Sequence, residues 1–148
     1  MGSLKTIRII NGPNLNLLGK REPDIYGYST LSDIEENCIS MGDELGVQVE
    51  FLQSNHEGEI VDWIQQSIRK IDAIIINAAA YTHTSVAIHD ALRIYDGLAV
   101  ELHISNPHAR EEFRHTSFVS SAVGTVIAGL GVKGYELAVR YVAQRLGR

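Results

Sequence analysis

The sequence predicts an α/β protein built on a doubly wound, five-stranded parallel sheet with helices on both faces. Strand and helix patterns alternate from one end of the chain to the other, and that order is typical of βαβ units. The segment AIIIN at 73–77 is an unbroken apolar run, which is typical of a parallel strand buried on both faces. We expect a single domain over 1–148, because we find no linker or repeat and this length suffices for one core.

The first half of the chain begins with a strand at 4–10, LKTIRII. The helix predicted at 30–45 has apolar residues at helical spacing. Thr30 and Asp33 have the spacing of a capping box at its start, and Gly46 is a natural end. These signals predict a strand and then a helix with a defined start and end, and a long connecting segment lies between the two.

The middle of the chain repeats this pattern. The run VQVEFLQ at 47–53 predicts a second strand, and apolar residues at helical spacing predict a helix at 57–70. The third strand is the apolar run at 73–77, and SVAIHDALRIY at 85–95 predicts the next helix. Each strand is thus followed by a helix that can cover the sheet.

The last third of the chain predicts two more strands. LAVELHI at 98–104 is the fourth strand, and HAREEFR at 108–114 predicts a short helix. GTVIAGL at 124–130 is the fifth strand, and GYELAVRYVAQRL at 134–146 is the last helix.

Charge and composition exclude some classes of partner. The net charge is −5 and the pI is about 5.6, which argues against a nucleic-acid partner. No apolar run approaches the roughly 18–20 residues of a membrane span, and the N-terminal apolar run is too short for a signal peptide. The single cysteine, Cys38, excludes an internal disulfide and indicates a reducing compartment, so we expect a cytoplasmic protein with Cys38 as a small buried hydrophobe.

The segment NGPNLNLLGKREPDIYG at 11–27 is too long for an ordinary connection. Its Asn, Gly and Pro residues predict a loop, and loops longer than about 12–15 residues in compact domains are usually functional or disordered. Gly19 and Gly27 lie near the ends of its second half. We therefore expect a mobile active-site lid at about 19–27.

Polar side chains follow four of the predicted strands. In open α/β sheets, ligands bind outside the carboxyl ends of the strands, where the strand order switches. Amides, hydroxyls, imidazoles and guanidiniums should therefore converge at one edge of the sheet. They include Asn11, Asn14, Arg21, Tyr26, Asn55, His56, Asn77, His83, Glu101, His103, Ser105 and Arg110.

The residue pattern argues against several cofactor sites. The turn after the first strand lacks the G-x-G-x-x-G spacing of dinucleotide sites, and the Pro and Leu residues of this turn suit a flavin phosphate loop poorly. The sequence contains no Walker A motif. Asn77 stands where a phosphoacceptor domain would have Asp. No H-E-x-x-H motif is present. Glu101 and His103 share one face of a strand, which fits either metal ligation or a carboxylate that orients a catalytic histidine.

A cofactor-free acid–base site uses the same residues. Arg21 near Tyr26 favours the phenolate, which is a competent general base for a proton next to a carbonyl. His103 could be the general acid for a leaving hydroxyl, and Asn14 with a bound water could hold an enolate oxygen. The pattern alone leaves open that Tyr26 anchors a loop and that Arg21 is a solvated charge.

Four blocks of sequence carry a resemblance to one family. NGPNLNLLGKREPDIYG, QSNHEGEIVDWI, INAAAYTHTSVAIHDAL and ELHISNPHAREEFRHTS resemble, in this order, the type II 3-dehydroquinate dehydratases. The resemblance implies a flavodoxin-like fold and anti elimination of water from 3-dehydroquinate to 3-dehydroshikimate through an enolate. It also implies that no metal or cofactor is used, and that the chain assembles as a dodecamer, a tetramer of trimers. Aromatic biosynthesis (the shikimate pathway) and quinate breakdown both remain open, as does a non-enzymatic module that senses a polyhydroxy acid.

The resemblance also implies the roles of the catalytic residues. Tyr26 matches the general base and Arg21 the lid arginine that stabilises the transition state. His103 matches the general acid, Glu101 its orienting partner, and Asn14 the residue that stabilises the enolate through water.

A second set of residues matches substrate-binding positions. Asp90 matches a carboxylate that reaches a neighbouring site across a trimer interface, and Ile104 with Ser105 matches a carboxylate-binding pair. The remaining matches are Asn77, His83 and Arg114.

Overall fold

Five parallel strands form one sheet in the order β2-β1-β3-β4-β5 in the computed structural model, which describes residues 3–148. This order is that of flavodoxin-like folds, and its direction switches between β1 and β3. The predicted parallel sheet and fold class are confirmed. The strands are β1 (Lys5–Asn11), β2 (Val47–Gln53), β3 (Ala73–Asn77), β4 (Leu98–His103) and β5 (Thr125–Ala128).

Helices cover both faces of the sheet. One apolar core lies between the sheet and the pair α2 and α5, and a second lies between the sheet and the pair α3 and α4. Every residue of β3 is buried, as its unbroken apolar run predicted. The helices are α1 (Pro23–Tyr26), α2 (Leu31–Leu45), α3 (Glu57–Ser67), α4 (Val86–Ile94) and α5 (Lys133–Arg145).

The predicted capping signals of α2 are confirmed. The side chain of Thr30 accepts from the backbone N–H of Asp33 at 3.1 Å, and the side chain of Asp33 accepts from the backbone N–H of Thr30 at 3.0 Å. Gly46 ends the helix with a φ of 73°, a left-handed conformation that glycine adopts without a steric cost. None of the helices in residues 3–148 combines the length and apolarity that crossing a bilayer requires.

Some predicted helix boundaries are wrong. The helix predicted at 57–70 ends at Ser67, because Ile68 leaves helical geometry and Arg69 adopts a φ of 61° to turn the chain toward β3. The helix predicted at 108–114 is instead two 3₁₀ turns, Pro107–Ala109 and Glu112–Arg114.

The segment after β1 is more ordered than a plain loop. Its first half contains a 3₁₀ turn, Leu15–Leu17, and it packs into the core through Leu15 and Leu18, which are 5% and 2% exposed. Its second half contains α1, which begins at Pro23 and buries no residue. The two halves therefore differ in how firmly the core holds them.

Candidate active site

A small cavity lies at the carboxyl ends of β1, β3 and β4. Its volume of about 140 Å³ is below the roughly 300–1,000 Å³ of sites for drug-sized ligands, which favours a small substrate. Because parallel strands bring their carboxyl ends to one edge, residues distant in sequence meet here. The predicted residues that line the cavity are Asn14, Arg21, Tyr26, Asn77, His83, His103, Ile104, Ser105 and Arg114.

The backbone segments that follow β1 and β3 contact each other closely beside the cavity, at the switch in strand order. The N–H of Gly12 donates to the carbonyl of Asn77 at 2.8 Å, which joins the segments after β1 and β3. A Cβ at position 12 would lie 2.3 Å from the carbonyl oxygen of Ala78, so only glycine fits. Just beyond, Asn14 adopts a φ of 69° and its N–H donates to Oδ1 of Asn55 at 3.0 Å. This turn presents Asn14 to the cavity.

Two arginines flank the phenol of Tyr26. The guanidinium of Arg110 donates a hydrogen bond to the Tyr26 hydroxyl at 2.8 Å and lies 5.3 Å from the ring centroid. The guanidinium of Arg21 lies 5.2 Å from the same ring, but its terminal nitrogen pairs with Glu22 at 2.8 Å. The structure thus places Arg21 beside Tyr26 as predicted, but the cation on the hydroxyl is Arg110.

Arg110 was predicted only as a member of the polar cluster after β4, with no catalytic or binding role. It lines the cavity, and its donating nitrogen also lies 3.2 Å from the hydroxyl oxygen of Ser105. Its Nε is buried without a partner among residues 3–148. The only signal in the sequence was its place in the polar cluster after β4, since nothing local links it to Tyr26, a residue 84 positions earlier.

The imidazole of His103 is held by a buried carboxylate. Nε2 of His103 lies 2.5 Å from Oε2 of Glu101, and these residues are 8% and 2% exposed. The same oxygen accepts from Ser117 at 2.9 Å, and Oε1 accepts from Ser120. Glu101 and His103, predicted to share one face of a strand, are joined by a direct hydrogen bond, and of the two only His103 lines the cavity.

This environment keeps the Glu101 carboxylate ionised. Burial alone would raise the pKa of Glu101, but the hydrogen bonds from His103, Ser120 and Ser117 together outweigh burial and lower it below its ordinary value. Because an ionised carboxylate can only accept, Nε2 of His103 carries the proton of this hydrogen bond, and Nδ1 is the ring nitrogen that does not contact Glu101. The two serines were not predicted, and only their polarity between β4 and β5 marked them.

His83 serves the cavity as a neutral imidazole. Its Nδ1 lies 2.8 Å from the carbonyl oxygen of Thr116, so Nδ1 carries the proton and Nε2 is an acceptor. Burial lowers the pKa of His83 below its usual value, although the hydrogen bond to the carbonyl of Thr116 acts in the opposite direction, and the positive charge of nearby Arg114 adds to the lowering. Arg114 lines the same cavity, with its Nε bonded to the carboxylate of Glu111.

Asp90 is the one predicted residue that lies apart from these groups. It is exposed on α4 and does not line the cavity of its own chain. Within residues 3–148, no group of three or more His, Cys, Asp or Glu side chains is placed to hold a metal ion.

Comparison with known proteins identifies the family. The family model described as dehydroquinase class II matches residues 5–143. This chain belongs to the class II dehydroquinases.

Relatives and solved structures of class II dehydroquinases cover nearly the whole chain. A 3-dehydroquinate dehydratase of Bartonella henselae is 55% identical over 142 residues, which are 96% of each sequence. The crystal structure of a type II dehydroquinase from Propionibacterium acnes superposes with a TM-score of 0.93 at 46% identity, covering 97% of this chain and 99% of that one. One from Butyrivibrio crossotus gives 0.92 at 43% identity, covering 95% and 99%. The resemblance stated from the four sequence blocks is confirmed.

Proposed function

We propose that this protein is a 3-dehydroquinate dehydratase, a hydro-lyase that removes water from 3-dehydroquinate and forms 3-dehydroshikimate. One observation carries the proposal. This chain belongs to the class II dehydroquinases, and Tyr26 and His103 line the same small cavity. The phenol of Tyr26 is hydrogen-bonded to a guanidinium, and the imidazole of His103 to a buried carboxylate. The relatives named above as 3-dehydroquinate dehydratases support the choice of substrate.

Tyr26 is the proposed general base. As the phenolate, it removes the proton from the carbon next to the ketone, and the electrons of that C–H bond form an enolate. The Tyr26 hydroxyl oxygen accepts a hydrogen bond from the guanidinium of Arg110, so a cation lies at the atom that carries the negative charge of the proposed base. Arg21 adds a second cation over the ring and is the proposed stabiliser of the transition state.

His103 is the proposed general acid for the second step. The electrons of the enolate return to the ring, a carbon–carbon double bond forms, and the bond to the leaving hydroxyl breaks. Nδ1 of His103 gives its proton to that hydroxyl, which departs as water, and the ionised Glu101 stabilises the protonated imidazole before transfer. Anti elimination requires the base and the acid on opposite faces of the substrate, and Tyr26 and His103 come from separate elements, α1 and β4.

The remaining polar groups complement the substrate. 3-Dehydroquinate carries a carboxylate, a ketone and hydroxyls, and the proposed carboxylate-binding pair is Ile104 with Ser105. Asn14, through a bound water, is the proposed partner of the enolate oxygen. The proposed contacts to the hydroxyls and to the carboxylate edge are Asn77, His83 and Arg114.

The second half of the segment after β1 is the proposed lid, at about 19–27. Gly19 and Gly27 have φ values of 86° and 82° near its ends, and α1 between them buries no residue. Trypsin should cut at Lys20 or Arg21, and a bound product analogue should suppress that cut. Cutting after Lys70, in the connection before β3, is the internal control. Equal cutting of the lid with and without the analogue would contradict closure.

The assembly and location of the protein are also proposals. We propose a dodecamer built as a tetramer of trimers, in which Asp90, exposed on α4, reaches a neighbouring site. Light scattering of the wild type should give the mass of twelve chains. An Asp90→Asn variant should retain that mass and show lower activity. A monomer with full activity would refute both points.

We further propose a cytoplasmic location, which the single cysteine Cys38 supports.

A direct assay tests the proposed reaction. The protein is mixed with 3-dehydroquinate, and the ultraviolet absorbance of the conjugated enone of 3-dehydroshikimate is followed, with protein unfolded by heat as the control. We expect steady turnover that survives exhaustive chelation, because each proton transfer is assigned to a side chain. Binding without turnover would favour a sensor of polyhydroxy acids, and a loss of activity that zinc restores would require a metal.

A further inference from the structure

A chain of buried hydrogen bonds reaches the cavity from α5. The hydroxyl of Tyr135 lies 2.6 Å from Oδ1 of Asn11 and 2.9 Å from Nδ2 of Asn77. Asn11 ends β1 and Asn77 ends β3, and the two residues are paired in the parallel ladder at the switch in strand order. Tyr135 and Asn11 are fully buried and do not line the cavity, whereas Asn77 does.

Two backbone groups fix the direction of every hydrogen bond in this chain. At one end the carbonyl of Leu52, which can only accept, accepts a hydrogen bond from Nδ2 of Asn11 at 3.0 Å. Oδ1 of Asn11 must then accept from the hydroxyl of Tyr135, whose oxygen accepts from Nδ2 of Asn77. At the other end the N–H of Ala79, which can only donate, bonds to Oδ1 of Asn77 at 3.2 Å. Both ends therefore require the same orientation of the Asn77 amide.

We propose that Tyr135 is a positioning residue that holds Asn77 as a hydrogen-bond donor to the substrate. The Asn77 oxygen accepts from the N–H of Ala79, and Nδ2 donates one of its two hydrogens to the Tyr135 hydroxyl. The second hydrogen on Nδ2 is therefore the donor that Asn77 offers to the cavity. This role rests on the proposed function, since it concerns the binding of 3-dehydroquinate by the same site.

The environment of Tyr135 suits a fixed donor and acceptor. Burial raises the pKa of the Tyr135 phenol, although the hydrogen bond from Asn77 acts in the opposite direction, so the hydroxyl keeps its proton. The ring packs near Phe51, with centroids 6.2 Å apart, in the core between the sheet and α2 and α5. Replacing Tyr135 by Phe would keep this packing and remove only the bridging hydroxyl.

The test compares Tyr135→Phe with a matched buried tyrosine. Tyr95 is also buried, and its hydroxyl donates to the carbonyl of Ile71 at 2.7 Å, next to the amino end of β3 and so at the opposite edge of the sheet. We expect Tyr135→Phe to raise KM for 3-dehydroquinate roughly tenfold with kcat within about twofold, because one ground-state contact loses its orientation. Tyr95→Phe should lower the melting temperature and leave KM unchanged.

A double-mutant cycle separates positioning from general destabilisation. In an Asn77→Ala background, adding Tyr135→Phe should change KM by less than about twofold, because the residue it orients is absent. Asn11→Ala disrupts the chain at its other side and should raise KM in the same direction, which keeps the proposal testable if Tyr135→Phe does not fold.

The possible outcomes are distinct. If the wild type turns over 3-dehydroquinate but Tyr135→Phe leaves KM unchanged, or raises KM equally with and without Asn77, the positioning role is refuted and the proposed function stands. If the wild type shows no turnover, the proposed function is refuted and this role with it. A selective rise in KM that disappears in the Asn77→Ala background supports the proposal.

Discussion

The two proposed proton-transfer groups are held in opposite ways. His103 ends a strand inside the sheet, is 8% exposed, and bonds to a carboxylate that two serines also hold. Tyr26 is half-buried at the end of α1, a short helix that buries no residue, and its hydroxyl is held by Arg110 alone among residues 3–148. The proposed acid is thus preorganised by the core of the protein, whereas the proposed base depends on contacts between connecting segments.

Removing the base should have the largest effect. Tyr26→Phe deletes the oxygen that is proposed to accept the proton. General base catalysis contributes roughly 10²–10⁴-fold, so kcat should fall by about a thousandfold or more. The enone absorbance assay measures this loss. Tyr28→Phe is the matched control, because Tyr28 is 80% exposed two residues further along the same segment. Turnover by Tyr26→Phe at the rate of the control would remove Tyr26 as the base.

Removing the acid should have the next largest effect. If His103 is the acid, His103→Ala leaves the departing hydroxyl to take a proton from water, and we expect kcat to fall by roughly a hundredfold or more. His56→Ala serves as the control, since His56 is exposed and its side chain does not cap α3. If His103→Ala keeps a rate close to that of the wild type, another group donates the proton, and the contrast between a preorganised acid and a loop-held base fails.

A change at Arg110, which is hydrogen-bonded to the proposed base Tyr26, tests whether the base depends on contacts between connecting segments. Arg110→Lys replaces a planar guanidinium by a compact ammonium on a flexible stem. The ammonium can donate to Tyr26 and Ser105, but it lacks the planar group that lies 5.3 Å from the ring centroid and fixes the position of the donor, so kcat/KM should fall by roughly tenfold. Arg145→Lys is the matched control, because Arg145 donates to the hydroxyl of Tyr141 at the same distance of 2.8 Å, but on α5. Equal, small effects of both changes would show that Tyr26 does not depend on Arg110.

The same contrast explains what the sequence could predict. The pairing of Glu101 with His103 was predictable, because alternate residues of a strand share a face and this contact is local. The contact between Arg110 and Tyr26 spans 84 positions and depends on how two irregular segments pack, so no periodicity encodes it. The bond between Asn11 and Tyr135 spans 124 positions, and it follows only from the packing of α5 against the sheet.

The predictions of the fold were more complete than those of the site for a similar reason. The predicted strands and helices rest on apolar periodicity and capping signals, which are read within a few residues. Boundaries failed where tertiary geometry overrides local propensity, as at Arg69, whose φ of 61° serves the turn into β3. The ordered first half of the segment after β1 was missed because Leu15 and Leu18 become buried only when the core is assembled.

The smallest predicted effect concerns stability in acid. The pKa of Glu101 in the folded protein is below its ordinary value near 4.5, so the carboxylate is held more strongly in the folded state than in the unfolded state. Its contribution to the free energy of unfolding is therefore complete above that ordinary value and is lost as the pH falls through the lower folded value. Glu101→Gln cannot make this contribution, and we expect it to lose about 1–3 kcal/mol near neutral pH, where Glu101 is fully ionised.

Urea unfolding followed by the fluorescence of Trp63, the only tryptophan, measures this difference at each pH. The gap between the wild type and Glu101→Gln should narrow as the pH falls below about 4.5. Glu22→Gln is the control, because the Glu22 side chain is 48% exposed beside Arg21, and its gap should be small throughout. A gap for Glu101→Gln that stays constant into acid would mean that the carboxylate is not held in its ionised form. His103, the proposed general acid, would then lack the charged partner by which the core is argued to preorganise it.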